Sequence, residues 1–145
     1  MADRTPDAGI DYPIFRVTEL LDVTVPLPAT HAEVTLAETE SPFRTVTFPI
    51  ALPEGAAVVA ARDKLEAPRP LTHELFSSVL RRFSIDVVAL RITSRVDGVL
   101  FAELDLMGTR GREIVPCRPS DGIIVCLRQP VVAPILVAEG VFESR

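Results

Sequence analysis

Hydrophobic and polar positions alternate along the first third of the chain in the manner of β-strands. Residues 14–25 are rich in β-branched and aliphatic side chains, and residues 31–39 place apolar side chains at every second position. After a turn at residues 40–42, residues 43–50 resume the extended pattern. The pattern predicts a first strand followed by a β-hairpin.

Helical spacing then replaces this alternation. Residues 54–65 suit a short helix opened by Pro53, and residues 72–83 carry an apolar stripe at i, i+3, i+4 spacing. A third short helix is expected over residues 120–128. The remaining strands are predicted at 85–94, 99–107, 112–117 and 134–138, with a tight turn at Asp97-Gly98.

This order of strands, two helices, three strands, a helix and a strand predicts an α+β fold rather than a regular βαβ repeat. The 145 residues suit one domain. We expect a flexible tail over residues 1–12. Residues 13–145 are expected to form a single compact domain with a mixed or antiparallel sheet and three short-to-medium helices.

Composition narrows the class of protein. No apolar run approaches the roughly 20 residues that would span a bilayer, and the polar start lacks the apolar core of a secretory signal. We therefore expect a cytoplasmic protein without membrane contact. The net charge of -5 gives no overall attraction to nucleic acid. The two cysteines, Cys117 and Cys126, lack zinc-site spacing and are predicted to be buried, reduced thiols.

The C-terminal segment predicts assembly. Residues 131–142 carry more aliphatic surface than one terminal strand is expected to bury in a domain of this size. A homo-oligomer, most simply a dimer, is therefore expected, with this segment or an adjacent strand edge at the interface.

Two similar blocks stand out as candidate chemistry: RPLTHE at residues 69–74 and RPSD at residues 118–121. Each precedes a predicted helix, with Thr72 and Ser120 as expected N-cap residues and an acid in the first turn. Two helix starts of like composition in one small domain predict a shared site.

The charged residues of these blocks allow two interpretations. Arg69 and Arg118 suit phosphate binding beside helix N-termini, but each could instead pair with Glu74 or Asp121 and lock a helix start to the sheet. His73 suits a general base or a metal ligand, and it could equally fix its turn by donating to a carbonyl.

Other polar residues give weaker signals. Glu103 and Asp105 are predicted on one face of a strand, where they could share a cation, although a solvated sheet face explains them better. His31 begins a strand and is expected to be exposed to solvent.

Four ordered blocks, RPLTHEL, GVLFAEL, CRPSDGIIVCL and PILVAEGVF, resemble the bifunctional nuclease (BFN) domain family. The resemblance covers roughly residues 43–142. It implies an α+β domain found in oligomers and a nuclease that acts on RNA and DNA, here RNA or single-stranded DNA. Clustered carboxylates would then hold Mg²⁺ or Mn²⁺.

The resemblance also implies roles for single residues. The implied catalytic residues are His73, Glu74 and Asp121. His73 would transfer a proton, while Glu74 and Asp121 would hold the divalent ion or orient the histidine. The implied substrate-binding residues are Arg69, Thr72, Arg118 and Ser120.

The chain departs from the family pattern at three places. Pro116 and Cys117 stand where the family has an acid and an alanine, and Glu74 replaces an aspartate. These departures leave two alternatives open. One is a non-catalytic interaction or regulatory module in which the Arg-Pro blocks are structural. The other is an enzyme that acts on a small apolar molecule.

Overall fold

A mixed β-sheet forms the centre of the computed structural model, which describes residues 14–143. Its strands are β1 (Phe15–Thr24), β2 (His31–Glu38), β3 (Thr45–Ala51), β4 (Asp86–Val96), β5 (Val99–Gly108), β6 (Gly111–Cys117) and β7 (Ile135–Ala138). The helices are α1 (Leu52–Arg62), α2 (Thr72–Arg82), α3 (Pro119–Leu127) and α4 (Glu139–Glu143). The predicted tail at residues 1–12 lies outside the described residues.

The sheet has the strand order β3-β2-β1-β7-β4-β5-β6. Neighbouring strands run antiparallel except β4 and β7, which run parallel. The last strand therefore inserts between the first and the fourth, joining two antiparallel halves of the sheet. This arrangement confirms the predicted α+β fold with a mixed sheet.

The predicted strands and the first three helices are all present within residues 14–143, with boundaries shifted by a few residues. Asp97 and Gly98 join β4 to β5 with φ angles of 52° and 80°. Two positive φ values fit the tight hairpin turn that this dipeptide predicts. The short helix α4 was not predicted, because five residues are too few to show a helical period.

Helices α1 and α3 pack against each other and against one face of the sheet. Every residue of α3 from Ser120 to Leu127 is buried except Asp121. Gly55 lets α1 approach β2 closely, because a Cβ at this position would lie 2.7 Å from the Cβ of Ala32. The close packing fixes the first turn of α3 beside the first turn of α1.

The predicted N-caps are wrong by one or two positions. Arg118 is the N-cap of α3 and Leu71 is the N-cap of α2, so Ser120 and Thr72 lie inside their helices. The helix-compatible φ of Pro119 starts α3 before Ser120. The hydroxyl of Ser120 is thus free to bond elsewhere.

The apolar C-terminal segment is mostly buried within its own chain. Ile135, Val137 and Val141 are buried in the core, whereas Val131 and Val132 are exposed. The central position of β7 explains this, since strands flank it on both sides. The premise that one chain could not bury this segment is therefore wrong for most of it, whereas the homo-oligomer, with this segment or an adjacent strand edge at its interface, stays a prediction.

Cys117 and Cys126 are both free thiols, the first partly buried and the second buried. No helix within residues 14–143 has the length and apolar character needed to cross a membrane.

Candidate active site at three helix starts

The RPSD block forms a bidentate ion pair at the start of α3. Arg118 Nε donates to Asp121 Oδ2 at 2.8 Å, and Arg118 Nη2 donates to Asp121 Oδ1 at 2.9 Å. The two residues are three positions apart in sequence, and the turn at Pro119 brings their side chains to the same side of the helix. The parallel fork of a guanidinium matches the two oxygens of a carboxylate. Asp121 is thereby held in one orientation.

The RPLTHE block meets this pair through its histidine. His73 Nε2 lies 3.0 Å from Asp121 Oδ1, joining α2 to α3. An ionised carboxylate accepts hydrogen bonds only, so Nε2 carries the proton and, in the neutral ring, Nδ1 is the acceptor. The histidine is thus held by an acid that is itself held by an arginine.

Glu54, in the first turn of α1, completes the cluster and was missed by sequence reasoning. Its Oε2 lies 3.3 Å from Arg118 Nη1, and its Oε1 accepts a hydrogen bond from Ser120 Oγ. The available signal was an acid one position after Pro53, at a helix start. We name Glu54, His73, Arg118, Ser120 and Asp121 the three-helix cluster.

The charges of the three-helix cluster are coupled through Arg118. Burial by itself would raise the pKa of Asp121, but hydrogen bonds from Arg118 and His73 outweigh it and hold that pKa below its usual value. The hydrogen bond to Asp121 also raises the pKa of Arg118. Both side chains therefore stay charged at neutral pH.

Two cavities open on either side of Arg118. One, of about 560 Å³, is lined by His73, Phe76 and Asp121 among others. The other, of about 740 Å³, has mainly apolar walls with Glu54 and Ser120 at its polar end. Pro116, Cys117 and Arg118 line both, so these three residues form a ridge between the cavities.

The sequence was compared with models of known families and with curated proteins. The model of the bifunctional nuclease domain matches residues 34–145, which is most of the chain. This protein belongs to the bifunctional nuclease domain family. The match begins nine residues earlier than the resemblance seen in the motifs, within β2, and it takes in the whole of the three-helix cluster.

Two similar curated proteins come from Mycobacterium tuberculosis. They are named uncharacterized protein MT1877, from strain CDC 1551 / Oshkosh, and uncharacterized protein Rv1829, from strain ATCC 25618 / H37Rv. Each is 34% identical to this BFN-domain chain over 91 residues, which is 63% of this chain and 52% of the relative. The chain thus spans about half the length of these relatives.

The side chains around the BFN cluster do not fit the expected Mg²⁺ or Mn²⁺ site. Glu74 does not contact Asp121. Its Oε1 instead accepts a hydrogen bond from the Leu71 N–H at 3.2 Å and caps α2. No group of three or more His, Cys, Asp or Glu within residues 14–143 is arranged to hold a metal. The guanidinium of Arg118 bridges the carboxylates of Glu54 and Asp121, where a divalent ion would neutralise them. The metal stays a prediction.

The two blocks differ in what their arginines do. The predicted pairing of Arg118 with Asp121 is confirmed. The parallel pairing of Arg69 with Glu74 is wrong, because Arg69 is exposed and has no ion pair or hydrogen bond with any residue in the 14–143 range. Arg69 also lines neither cavity, whereas Thr72 lines the cavity beside His73.

Cys117, on the ridge between the two cavities, holds its proton more tightly than an ordinary thiol. Burial, with a contribution from the negative charge of Asp121, raises the pKa of its thiol to about 11. Because the thiolate is the reactive form, the protonated thiol is a poor nucleophile at neutral pH.

The acidic residues Glu103 and Asp105 on β5 are not part of the three-helix cluster. Asp105 is buried and bonds to Arg91 Nη1 at 2.8 Å and to Arg112 Nε at 2.8 Å. The prediction of a solvated face is wrong for Asp105, since the two arginines of neighbouring strands compensate its charge. His31 lies 3.7 Å from Glu33, and its side chain is 42% exposed, so the expected exposure to solvent is only partial.

Proposed function

We propose that this BFN-domain protein hydrolyses phosphodiester bonds in RNA or single-stranded DNA. The observation that carries the proposal is the chain of contacts from Arg118 through Asp121 to His73 at the edge of an open cavity. A histidine oriented by an ionised carboxylate is suited to proton transfer. Membership of the bifunctional nuclease domain family supports the same reaction.

The proposed reaction uses one proton transfer at His73. Nδ1 takes a proton from a water molecule whose oxygen forms a bond to phosphorus. The bond between phosphorus and the leaving nucleotide oxygen breaks, and that oxygen receives a proton from solvent. Asp121 stabilises the imidazolium that forms, because it remains ionised and hydrogen-bonded to Nε2.

Arg118 is the residue proposed to contact the phosphate. Its side chain is 63% exposed even though it is paired, and it lines both cavities. A guanidinium at this ridge can donate to a phosphate oxygen while the flanking nucleotides lie in the cavity on each side. Ser120 and Thr72, near the same helix starts, are the secondary candidates for substrate contact.

The test is cleavage of labelled RNA and single-stranded DNA oligonucleotides by purified protein with Mg²⁺, with Mn²⁺ and with EDTA. We expect His73→Ala and Asp121→Asn each to lower the rate by about 100-fold or more, the usual contribution of a general base. His31→Ala is the matched control, since it removes a histidine that is outside the three-helix cluster and lines neither cavity. It should keep full activity.

Two results would overturn the proposal. Cleavage that is undiminished in both His73→Ala and Asp121→Asn would identify a contaminating nuclease. Absence of cleavage of either substrate under all three metal conditions would also reject the reaction. Circular dichroism and thermal melting of every variant separate loss of chemistry from loss of fold.

A second candidate is a non-catalytic module, and one observation favours it. Glu54, Arg118, Ser120 and Asp121 satisfy one another's hydrogen bonds, as expected of a device that locks helices together. The third alternative, an enzyme for a small apolar molecule, called for a cavity with His73 and both arginines at its mouth. The cavity beside His73 has Arg118 but not Arg69, so this arrangement is not formed.

A further inference from the structure

The cavity on the Glu54 side of Arg118 joins apolar walls to a small polar end. Its volume of about 740 Å³ is within the range of small-molecule sites in proteins. Strand β3, the turn between β4 and β5, and the start of β5 supply the walls, which include the rings of Phe48 and Phe101. Phe48 is buried, whereas Phe101 is 51% exposed. Glu54, Arg118 and Ser120 form the polar end. These lining residues bear on which base a flanking nucleotide would carry here.

The carboxylate of Glu54 has an acceptor position left on each oxygen. Oε1 accepts from Ser120 Oγ, and Oε2 lies 3.3 Å from Arg118 Nη1. Each oxygen of a carboxylate offers about two lone-pair positions, so each retains one. The Glu54 side chain is only 19% exposed, and a ligand that fills the cavity displaces the water around it. Such a ligand must supply a donor to each oxygen, or the loss of water is not compensated.

Arg118 determines the charge that these donors can carry. Its guanidinium contacts the same carboxylate, so it would repel an ammonium group that approached Glu54. The apolar walls also disfavour an unpaired charge. The cavity therefore suits a neutral ligand that has an apolar body and two adjacent N–H donors at one edge.

Guanine is the standard base that meets these requirements. Its Watson–Crick edge carries two adjacent donors, the N1–H and the 2-amino group. Two parallel N–H groups match the two oxygens of a carboxylate. Adenine and cytosine place one amino group beside an acceptor nitrogen, and uracil and thymine would turn carbonyl oxygens toward Glu54. The half-exposed ring of Phe101 offers a platform on which the flat face of a base can stack.

We propose that this cavity binds a guanine base, with Glu54 accepting from N1–H and the 2-amino group and with Phe101 stacked on the ring. The inference rests on the proposed function, because the guanine belongs to the strand whose phosphate is proposed to contact Arg118. Glu54 is then the residue that sets a preference for guanine beside the cleaved bond.

Equilibrium binding of mononucleotides tests the guanine site without any cleavage. Isothermal titration calorimetry compares 5′-GMP with 5′-IMP, which lacks only the 2-amino group, and with 5′-AMP and 5′-UMP. We expect GMP to bind about 10-fold or more tightly than IMP, the ratio that corresponds to one hydrogen bond to a charged group. Equal dissociation constants for GMP and IMP would overturn the proposal, as would a failure of GMP to bind.

Two variants assign the contacts. Glu54→Gln places an amide donor against the donors of guanine and should abolish the preference for GMP over IMP. Glu33→Gln is the matched control, because Glu33 does not line the cavity, and it should keep the preference. Phe101→Leu should weaken the binding of GMP and IMP alike by about 10-fold, since stacking does not read the amino group.

Circular dichroism establishes that each variant is folded. A folded Glu54→Gln protein that still prefers GMP would overturn the proposed role of Glu54. The comparison of GMP with IMP on the wild-type protein needs no variant, so the guanine site can be rejected even where Glu54→Gln does not fold. A Phe101→Leu protein that binds both nucleotides as tightly as wild type would reject the stacking contact.

A cleavage assay separates this inference from the proposed function. Replacement of a single guanine by inosine in an otherwise identical RNA should lower cleavage beside that position by about 10-fold. Unchanged cleavage there would overturn the guanine site and leave the nuclease intact. Selective binding of GMP by a protein that cleaves no RNA or single-stranded DNA would support the guanine site and reject the nuclease.

Discussion

Asp121 makes the decisive contacts of the three-helix cluster at the scale of single residues. It accepts from Arg118 with both oxygens and from His73 with one of them. Because these bonds keep the carboxylate ionised, they also keep the histidine ring in one tautomer and one orientation. An asparagine at this position would retain the shape of the side chain but lose its charge, which is why Asp121→Asn is the sharper test of the proposed chemistry.

The residue after Asp121 is a glycine for a packing reason. A Cβ on Gly122 would lie 2.3 Å from Cδ1 and 3.1 Å from Cγ of Leu90, which is fully buried in β4. The tight contact seats α3 on the sheet and thereby positions the start of the helix.

We predict that Gly122→Ala lowers the free energy of unfolding by about 1 to 2 kcal/mol, because overpacking outweighs the gain of about 1 kcal/mol in helix propensity. Chemical denaturation measures the difference. Gly140→Ala is the matched helical control, since nothing lies within 4 Å of its added Cβ. Leu90→Ala should partly relieve the Gly122→Ala cost in a double-mutant cycle. Equal or higher stability of Gly122→Ala would contradict the packing argument.

At the scale of elements, the site depends on three helix starts that come from distant parts of the sequence. The first turns of α1, α2 and α3 supply Glu54, His73 and the RPSD block. Each start is local and visible in the sequence. Their meeting depends on the sheet, because α1 and α3 pack side by side on one of its faces.

This difference explains what could be predicted from the sequence. The strands with alternating apolar and polar residues, and the apolar stripe of α2, were predicted because each pattern lies within one short stretch of sequence. The pairing of Arg118 with Asp121 is also local, at three residues apart. The role of Glu54 could not be found in this way, since its partners lie more than sixty residues away. The outward direction of most of the α2 stripe was equally hidden, because a spacing does not show which side of a helix meets the core.

The buried carboxylate on β5 also makes contacts across strands that the sequence does not show. Asp105 is compensated by Arg91 on β4 and Arg112 on β6. Hydrogen bonds from Arg112 and Arg91 outweigh the cost of burial and lower the pKa of Asp105. The three strands are thus tied together by one acid.

We predict that Asp105→Asn lowers the free energy of unfolding by about 2 to 3 kcal/mol, the usual cost of losing hydrogen bonds to a charged group. Glu103→Gln is the matched control, two positions away on the same face of β5, and it should be within about 0.5 kcal/mol of wild type. Thermal and denaturant unfolding measure both variants. Equal free energies of unfolding for the two variants would show that the ion pairs between Asp105 and the two arginines contribute no net stability.

At the scale of the whole molecule, a second buried acid ties the first half of the sheet to the end of the chain. Glu38 at the end of β2 bonds to Arg16 of β1 at 2.7 Å and to Arg44 Nε at 3.0 Å. Arg44 also pairs with Glu139 of α4 at 2.6 Å and lies over the ring of Phe142. Each half of the sheet therefore contains a buried acid that pairs with two arginines, and β7 joins the two halves.

These paired acids make the stability of the fold depend on acid pH. Hydrogen bonds from Arg44 lower the pKa of Glu38 from its ordinary value of 4.5 to about 2, against the opposing effect of burial. The pKa values of Asp105 and Asp121 are also lowered. A carboxylate with a depressed pKa binds protons more readily in the unfolded chain, so its stabilisation is complete above about pH 5 and is lost as the pH falls toward 2.

We therefore predict a melting temperature that is nearly constant from pH 7 to pH 5 and falls steeply from about pH 4.5 to pH 2. Differential scanning calorimetry in buffers of equal ionic strength measures it. Glu38→Gln should lower the melting temperature at pH 7 and flatten the acid decline, because one of the three depressed carboxylates is removed. Glu33→Gln, on the same strand with a partly exposed side chain, should keep the wild-type slope. A wild-type melting temperature that stays level down to pH 3 would show that the arginine pairs contribute no net stability to the native state.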